Sequence, residues 1–359
     1  MGLFSNLFGG KEKKTKSKKA TLKIKSIDQL TEDSVKVTFD VPSEVKMDFT
    51  FIPGQYLDLE VNLDDEVLHR SYSICSDVEE PLAIGVKKVE GGKVSTWLND
   101  TAKAGDELVV AFPKGNFTIS KIDGDYVAFA AGSGITPVLS IAKFFSRATQ
   151  NKLTLFYGNR NEDSIMFKNE IDELENVSVK HVLSRQEKDG YGHGRLNTDK
   201  IRDLIKTDLD LLKSKGFFLC GPEEMILNAL DVLKTFGVAE DKIHYELFTP
   251  PTLLKSKQKE TVADFKGVAK VTIILDEEEE HFDLESDGAT ILDEAESYGI
   301  DAPFSCRGGV CCTCKAKVLE GAVSMDKNFT LTDSEIEEGY ILTCQAHPNS
   351  EHVKISYDD

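Results

Sequence analysis

The sequence predicts three consecutive domains of different class: an antiparallel β-barrel, a doubly wound α/β domain and a small α+β domain. Three observations carry this. The chain has 359 residues, more than the ~250–300 at which a single core stops growing. Its apolar pattern changes near residue 125, from short alternating runs to strands that alternate with helices. Five of the seven cysteines fall after residue 305, which gives the last segment a chemistry of its own.

Residues 1–20 hold six lysines and one glutamate and read as a disordered basic tail. It lacks the charged n-region and apolar stretch of a signal peptide, and Asn6 stands where a myristoylation motif needs Ser or Thr. Residues 21–122 form the first domain. Runs at 21–27, 35–39, 56–61, 69–74, 82–88 and 107–111 alternate between apolar and polar, with Pro53-Gly54 and Gly91-Gly92 between them. That is barrel or sandwich patterning, with one helix predicted at 95–102. Residues 123–248 form the second domain. Strands are predicted at 126–131, 153–157, 177–183, 217–220 and 243–245, and helices at 137–147, 166–174, 198–206 and 222–236. This alternation gives a parallel sheet. Residues 249–268 open with Pro250-Pro251 and then lose periodicity, so they read as a linker. Residues 269–359 form the third domain, with a hairpin at 268–284 turning through the acidic 277–280 and a helix at 290–298.

The formal net charge is −19, and the last 91 residues hold six basic and 21 acidic side chains. Nucleic acid is excluded as a partner, because phosphate binding needs concentrated positive charge. No run of about 18 apolar residues exists to span a membrane. Clustered cysteines in odd number suit metal binding in a reducing compartment rather than a secreted disulfide framework, and a cytoplasmic protein is expected.

Cys306, Cys311 and Cys314 are spaced C-x4-C-x2-C, and Cys344 follows after 29 residues. Plant-type [2Fe–2S] ferredoxins use this spacing. Two irons and two sulfides need four thiolates, one loop supplying three and a distant strand end the fourth. Gly308 and Gly309 leave backbone bare, so amides can point at sulfur. Cys312 is left as a bystander. A zinc-stapled scaffold is the alternative, although zinc prefers paired C-x2-C knuckles and only one is present.

In the first domain Arg70-Ser71-Tyr72-Ser73 is followed by Val86-Lys87-Lys88 and by Gly91-Gly92-Lys93-Val94-Ser95-Thr96. In the second, Gly132-Ser133-Gly134-Ile135-Thr136-Pro137 follows a strand and opens a helix, with Thr136 expected as N-cap and Pro137 in the first turn. The next strand ends Tyr157-Gly158-Asn159-Arg160, without the acidic residue that holds a ribose in standard dinucleotide folds. Leu183-Ser184-Arg185 ends the third strand, and Cys220-Gly221-Pro222-Glu223-Glu224-Met225 follows the fourth.

In this order the motifs resemble those of the ferredoxin-NADP reductase superfamily, and in particular its three-domain oxygenase reductases with a C-terminal ferredoxin of β-grasp fold. The resemblance covers residues from about 21 to 359. It implies FAD in the barrel: Arg70 on the flavin phosphates, Tyr72 against the ring, Ser73 at its N5 edge, and the helix start at Ser95 and Thr96 on the pyrophosphate. It implies a nicotinamide nucleotide on Gly132, Gly134, Thr136 and Pro137, with Cys220, Gly221, Pro222 and Met225 at the nicotinamide. Glu246 and Phe248 would supply a carboxylate and a covering aromatic. Ser184 and Arg185, with Asn159 and Arg160, point to NADPH over NADH. Catalysis would then rest on Ser73, Cys220 and Glu246, with hydride passing to the flavin and single electrons to the cluster. More narrowly, residues 303–311 and 338–345 resemble the reductase components of phenylacetyl-CoA 1,2-epoxidase systems, which implies a di-iron oxygenase as partner. Another oxygenase, hydroxylase or desaturase is the alternative acceptor.

Overall fold

The computed structural model describes residues 18–148, 150–253 and 265–358. The expected tail therefore lies almost wholly outside the described residues, as does the middle of the expected linker.

The first domain is a six-stranded antiparallel sheet made by β1 (Lys19–Thr31), β2 (Ser34–Asp40), β3 (Tyr56–Leu63), β4 (Glu66–Ser73), β5 (Ala83–Lys87) and β6 (Glu107–Ala111). Their order is β4-β3-β6-β1-β2-β5, and a bridge between Ile74 and Ile84 joins the two edges. β1 is long because it serves two partners: its start pairs with β6 and the rest with β2, bending at register shifts after Ile24 and Gln29. Leu22, Val37, Leu57, Ile84 and Val110 fill the barrel and are fully buried. Helix α1 (Lys93–Asp100) adds Val94 and Leu98 to that core.

In the second domain β7 (Tyr126–Ala131), β8 (Leu153–Asn159), β9 (Val177–Leu183), β10 (Gly192–His193), β11 (Gly216–Cys220) and β12 (Ile243–Glu246) form an all-parallel sheet of order β10-β9-β8-β7-β11-β12. Helices α2 (Ile135–Ala148), α3 (Lys168–Asp172), α4 (Thr198–Thr207) and α5 (Glu223–Thr235) connect the strands. The order reverses between β7 and β11, and the crevice beyond the strand ends at such a point is where α/β sheets bind ligands. Lys143 of α2 is 4% exposed and pairs with Glu80 of the barrel at 2.6 Å and with Glu170 of α3. With Arg147 on Asp77 at 2.5 Å, it fixes the nucleotide-type sheet to the barrel.

The third domain pairs β13 (Val268–Leu275) with β14 (Glu278–Glu285) as the expected hairpin, then adds α6 (Ile291–Ser297), β15 (Lys315–Glu320), β16 (Val323–Met325), α7 (Asp333–Glu337), β17 (Tyr340–Leu342), β18 (Ala346–Pro348) and β19 (His352–Ser356). The sheet order is β14-β13-β19-β15-β17, with β13 and β19 parallel in the middle. Ile291, Leu292 and Ala295 of α6 pack across it, which is the β-grasp arrangement.

Four local expectations are corrected. The helix after β7 begins at Ile135, following a 3₁₀ turn over Gly132–Gly134. Thr136 is therefore inside the first turn and its hydroxyl donates to the Ser133 carbonyl at 3.0 Å, so it is not an N-cap. The helix expected at 166–174 is only five residues, because Phe167 turns left-handed at φ 58° to enter it. The acidic hairpin turns on Asp276 and Glu277, both at positive φ, and 278–280 are strand. Helix α1 begins at Lys93 with Gly92 as its cap, two residues before Ser95.

Gly134 sits where the β7 loop crosses the end of β11. A Cβ built there would lie 2.1 Å from the Cys220 carbonyl oxygen, and neither backbone can yield. Gly134→Ala is expected to destabilise the second domain by about 1–3 kcal/mol through overpacking, read as a lowered urea midpoint of its unfolding transition.

Candidate functional site

The parallel sheet's switch point opens into a cleft of about 520 Å3, lined by Gly132, Asn159, Arg160, Ser184, Arg185 and Met225 among others. It gathers the ends of β7, β8, β9 and β11, so the motifs that are far apart in sequence converge. Gly132 takes φ 53° and has open space around its Cα, which leaves the loop backbone accessible. Among the described residues the buried Asn159 side-chain nitrogen makes no hydrogen bond of good geometry, although it lies close enough to the Tyr157 phenol to act on it, and buried donors are nearly always paired. A polar ligand in the cleft would satisfy it, and a cleft edged by three arginines suits an anionic one. Arg195, just after β10, is the third. Sequence reasoning passed over it. The signal available was the Gly194-Arg195 step beside a strand too short to show periodicity.

β11 and β12 pair Cys220 with Glu246. Cys220 is buried and Glu246 half-buried. Burial pushes the Cys220 thiol up, the nearby Glu246 adding to it. Burial also pushes the Glu246 carboxyl up to about 8, against a partly opposing hydrogen bond from Ser73. The Ser73 hydroxyl lies 3.4 Å from Glu246 Oε2. The three side chains expected to act together are therefore joined across the junction of the first two domains. Phe248, 45% exposed, borders the cleft.

On the barrel, Arg70 is exposed, and among the described residues its side chain donates one hydrogen bond, to the His69 carbonyl at 2.7 Å. Its guanidinium retains donors for a phosphate. Tyr72 packs on the barrel core, and burial pushes its phenol up. Val86 and Val94 are core residues, so only their backbone can reach a ligand. Lys87, Lys88 and Lys93 are engaged with Asp33, Asp100 and Glu66 respectively. The Ser95 hydroxyl accepts from the Val89 amide at 3.1 Å and donates to the Gly92 carbonyl; it shapes the turn, which leaves Gly92 and Thr96 at the helix start. Exposed Arg70, the open turn at Gly91 (φ 72°) and backbone beside it fit a flavin nucleotide.

The four cysteines fall into two pairs. The Cys311 thiol hydrogen-bonds Cys306 and holds it below the ordinary thiol range, helped by amides of Gly308, Val310 and Cys311 against desolvation. Cys314 does the same for Cys344. The Gly308 amide donates to Cys306 Sγ at 3.4 Å and the Cys306 amide to Cys311 Sγ at 3.4 Å. Among the described residues no three or more His, Cys, Asp or Glu side chains form a group that could hold a metal ion. Two separate thiol pairs suit a cluster of two sulfide-bridged irons, each taking one pair, better than a lone zinc. Cys312 Sγ lies 3.1 Å from the Thr330 hydroxyl, and burial pushes its thiol up to about 12.

This cysteine loop rests on the barrel. Thr313 Oγ1 donates to Asp58 Oδ2 at 2.9 Å, the Ser71 and Ser305 hydroxyls are 2.7 Å apart, and the Tyr56 hydroxyl donates to the Cys311 carbonyl. Val310 and Phe329 join the core of the second domain. Sequence reasoning missed Tyr56 and Asp58, because alternation in Tyr56-Leu57-Asp58-Leu59 reads as an ordinary solvated outer face.

Residues 21–119 match the family model of an oxidoreductase FAD-binding domain, 129–230 that of an oxidoreductase NAD-binding domain, and 273–349 that of a 2Fe-2S iron-sulfur cluster binding domain. The chain is 35% identical over 349 residues to a 1,2-phenylacetyl-CoA epoxidase subunit of Escherichia coli, covering 94% of this chain and 97% of that one. It is 31% identical over 353 residues to the ferredoxin reductase component of 3-ketosteroid-9-alpha-monooxygenase from Rhodococcus rhodochrous, covering 95% and 97%. Among solved structures, phthalate dioxygenase reductase shares the fold, at a TM-score of 0.56 and 21% identity over 94% of this chain and 98% of that one.

The sign of the Glu246 shift sets a pH dependence. A carboxyl raised in the folded state is neutral there while its unfolded counterpart ionises, so stability falls as pH rises from the ordinary carboxylate range through about 8. Glu246→Gln is expected to flatten that part of the stability profile, measured by chemical denaturation at intervals between pH 5 and pH 9 (roughly the span of the shift).

Proposed function

The chain belongs to the family of oxygenase reductase components that join FAD-binding, NAD-binding and [2Fe–2S] domains, and from that premise we propose that it draws electrons from NADPH and delivers them singly to a di-iron oxygenase of the phenylacetyl-CoA epoxidase type. When bound, a flavin takes both electrons of a hydride together and releases them one at a time, as a [2Fe–2S] cluster requires. One observation supports the sequence of transfers above others. Strand β4 touches both neighbours at once: Ser73 meets Glu246 of the nucleotide domain, and Ser71, two residues away, meets Ser305 of the cysteine loop.

The residues act in order. Asn159, Arg160 and the Gly132–Gly134 turn would receive the nucleotide at the cleft, with Ser184 and Arg185 beside a 2′-phosphate. Cys220, next to the cleft's Gly221, and Glu246, its partner on β12, would stand beside the inner edge of the cleft. There a neutral Glu246 can share its proton with the Ser73 hydroxyl rather than repel an incoming anionic cofactor. Arg70, Tyr72 and backbone around Gly92 would hold the flavin. Cys306 with Cys311, and Cys314 with Cys344, would hold the cluster, while loop amides favour the thiolate forms. The 35% identity across nearly the full length of the epoxidase component supports the partner. The monooxygenase reductases at 31–32% identity support a second reading, a different oxygenase partner. Among the described residues no helix is long and apolar enough to cross a membrane. Seven cysteines without a disulfide favour a reducing, cytoplasmic setting.

Three outcomes test this. NADPH added anaerobically to the holoprotein is expected to bleach the flavin and then raise an EPR signal from the reduced cluster. Cys344→Ser is expected to keep the bleaching, lose the EPR signal and fail to support product formation by purified phenylacetyl-CoA epoxidase oxygenase subunits. A persistent, unchanged signal rejects the ligand set, and wild-type protein inactive with those subunits rejects the partner. Arg185→Ala is expected to raise KM for NADPH tenfold or more and leave that for NADH within about twofold, corresponding to loss of a charge-assisted contact of roughly 1.5–3 kcal/mol. Equal changes for both nucleotides reject the 2′-phosphate role.

A further inference from the structure

The barrel's contact with the cysteine loop contains a group that the transfer chemistry leaves unexplained. Asp58 is 6% exposed, and its cation partner, Lys114 Nζ, stands only at the outer limit of an ion pair, 4.0 Å away. Its two oxygens are held more closely by two hydroxyls. Ser71 of the neighbouring strand donates to Oδ1 at 2.5 Å, and Thr313, in the cysteine loop, donates to Oδ2 at 2.9 Å. A buried carboxylate is costly in desolvation unless its lone pairs are satisfied. In this case a satisfying donor comes from another domain.

The strand register shows how the group is built. β3 and β4 pair Tyr56 with Ser73 and Asp58 with Ser71, and alternate residues of a strand share a face. These four side chains therefore form one polar patch on the barrel. Asp58 meets Thr313, Ser71 meets Ser305, Tyr56 meets the Cys311 carbonyl, and Ser73 meets Glu246. Thr313 sits between Cys311 and its partner-pair neighbour Cys314, so holding its hydroxyl fixes the loop on both sides.

We propose that Asp58 is a positioning residue for electron transfer inside the chain: through Thr313 it fixes the register in which the cysteine loop docks on the barrel. The inference rests on the reading that electrons pass from flavin to cluster. It adds that the geometry of that step is set by a carboxylate outside the residues assigned to hold either group. Replacing Asp58 by Asn keeps the shape but turns one acceptor into a donor facing a hydroxyl, and the charge-assisted bond is lost.

The experiment compares wild type, Asp58→Asn, Thr313→Val and the double variant as cofactor-loaded full chains. Stopped-flow absorbance is expected to show flavin reduction by NADPH within twofold of wild type in all four. The following flavin-to-cluster step is expected to slow at least tenfold in each single variant and no further in the double one. Hydrogen exchange is expected to rise at amides 305–313 and stay unchanged in the nucleotide domain. An unchanged second step, independent multiplicative effects, or unaltered exchange at 305–313 overturns the proposal. If Asp58→Asn does not fold, Thr313→Val alone decides it by the same two readouts. A wild-type cluster that is never reduced rejects the underlying electron route instead, so the two failures are distinguishable.

Discussion

The whole arrangement depends on a two-stranded ribbon having two usable faces. Alternation in β3 and β4 sends Leu57 into the barrel core and puts Tyr72 against it, while Tyr56, Asp58, Ser71 and Ser73 take the other face. A sheet facing water on that side would need nothing but solubility there. This one is covered by two other domains, so each polar group on it needs a partner from across a boundary. Slipping the register of β4 by one residue would turn Tyr72 out and Ser71 in, and would lose the flavin candidates and both docking contacts together.

The same constraint explains why a carboxyl with an elevated proton affinity appears at the first boundary and an acceptor-rich patch at the second. Glu246 comes at the end of β12, opposite Cys220 and next to Ser73. It is half-buried beside a hydroxyl and, among the described residues, pairs with no cation, so desolvation dominates and favours its neutral form. Asp58 is buried and has two hydroxyl donors and a lysine within reach. Burial still raises it, opposed by those contacts. The two carboxyls thus differ in what faces them.

Much of this was legible in the sequence, for a definite reason. Glycine loops, the Cys306-to-Cys344 spacing and the Arg70–Ser73 run mark local chemistry, and local chemistry leaves local patterns. The strands 107–111, 126–131 and 177–183 keep their sequence-derived limits, because each is a short apolar or alternating run between turn residues. What was not legible depends on distant pairing. β10 has two residues and exists only because β9 offers an edge. The helix at 166–174 shrank because Phe167 is drawn into the core with a left-handed backbone. Asp58 looks like any outward strand residue until another domain covers it. Thr136 looked like a cap because the 3₁₀ turn ahead of it is set by Gly134 lying against the Cys220 carbonyl, a contact between residues 86 apart.

The interface between cysteine loop and barrel is made of hydroxyls, carbonyls and one carboxylate, while the third domain's large acidic excess stays outside it. Its charged contacts lie at the rim, as with Lys19 and Asp301 at 3.4 Å, both well exposed, where salt screens them and each contributes little. A contact set this sparse would hold two separate proteins weakly. Tethering changes that arithmetic, because a short connection between domains gives an effective concentration on the order of millimolar, so a modest contact suffices for the docked state to dominate. The barrel contact therefore has no need of a large apolar area; Phe304 meets His69 there, while Val310 and Phe329 pack into the second domain's core. Strength is supplied by the covalent connection, and register by a few directional hydrogen bonds. Directional bonds are the better instrument for an electron-transfer contact, since they fix position without making separation costly.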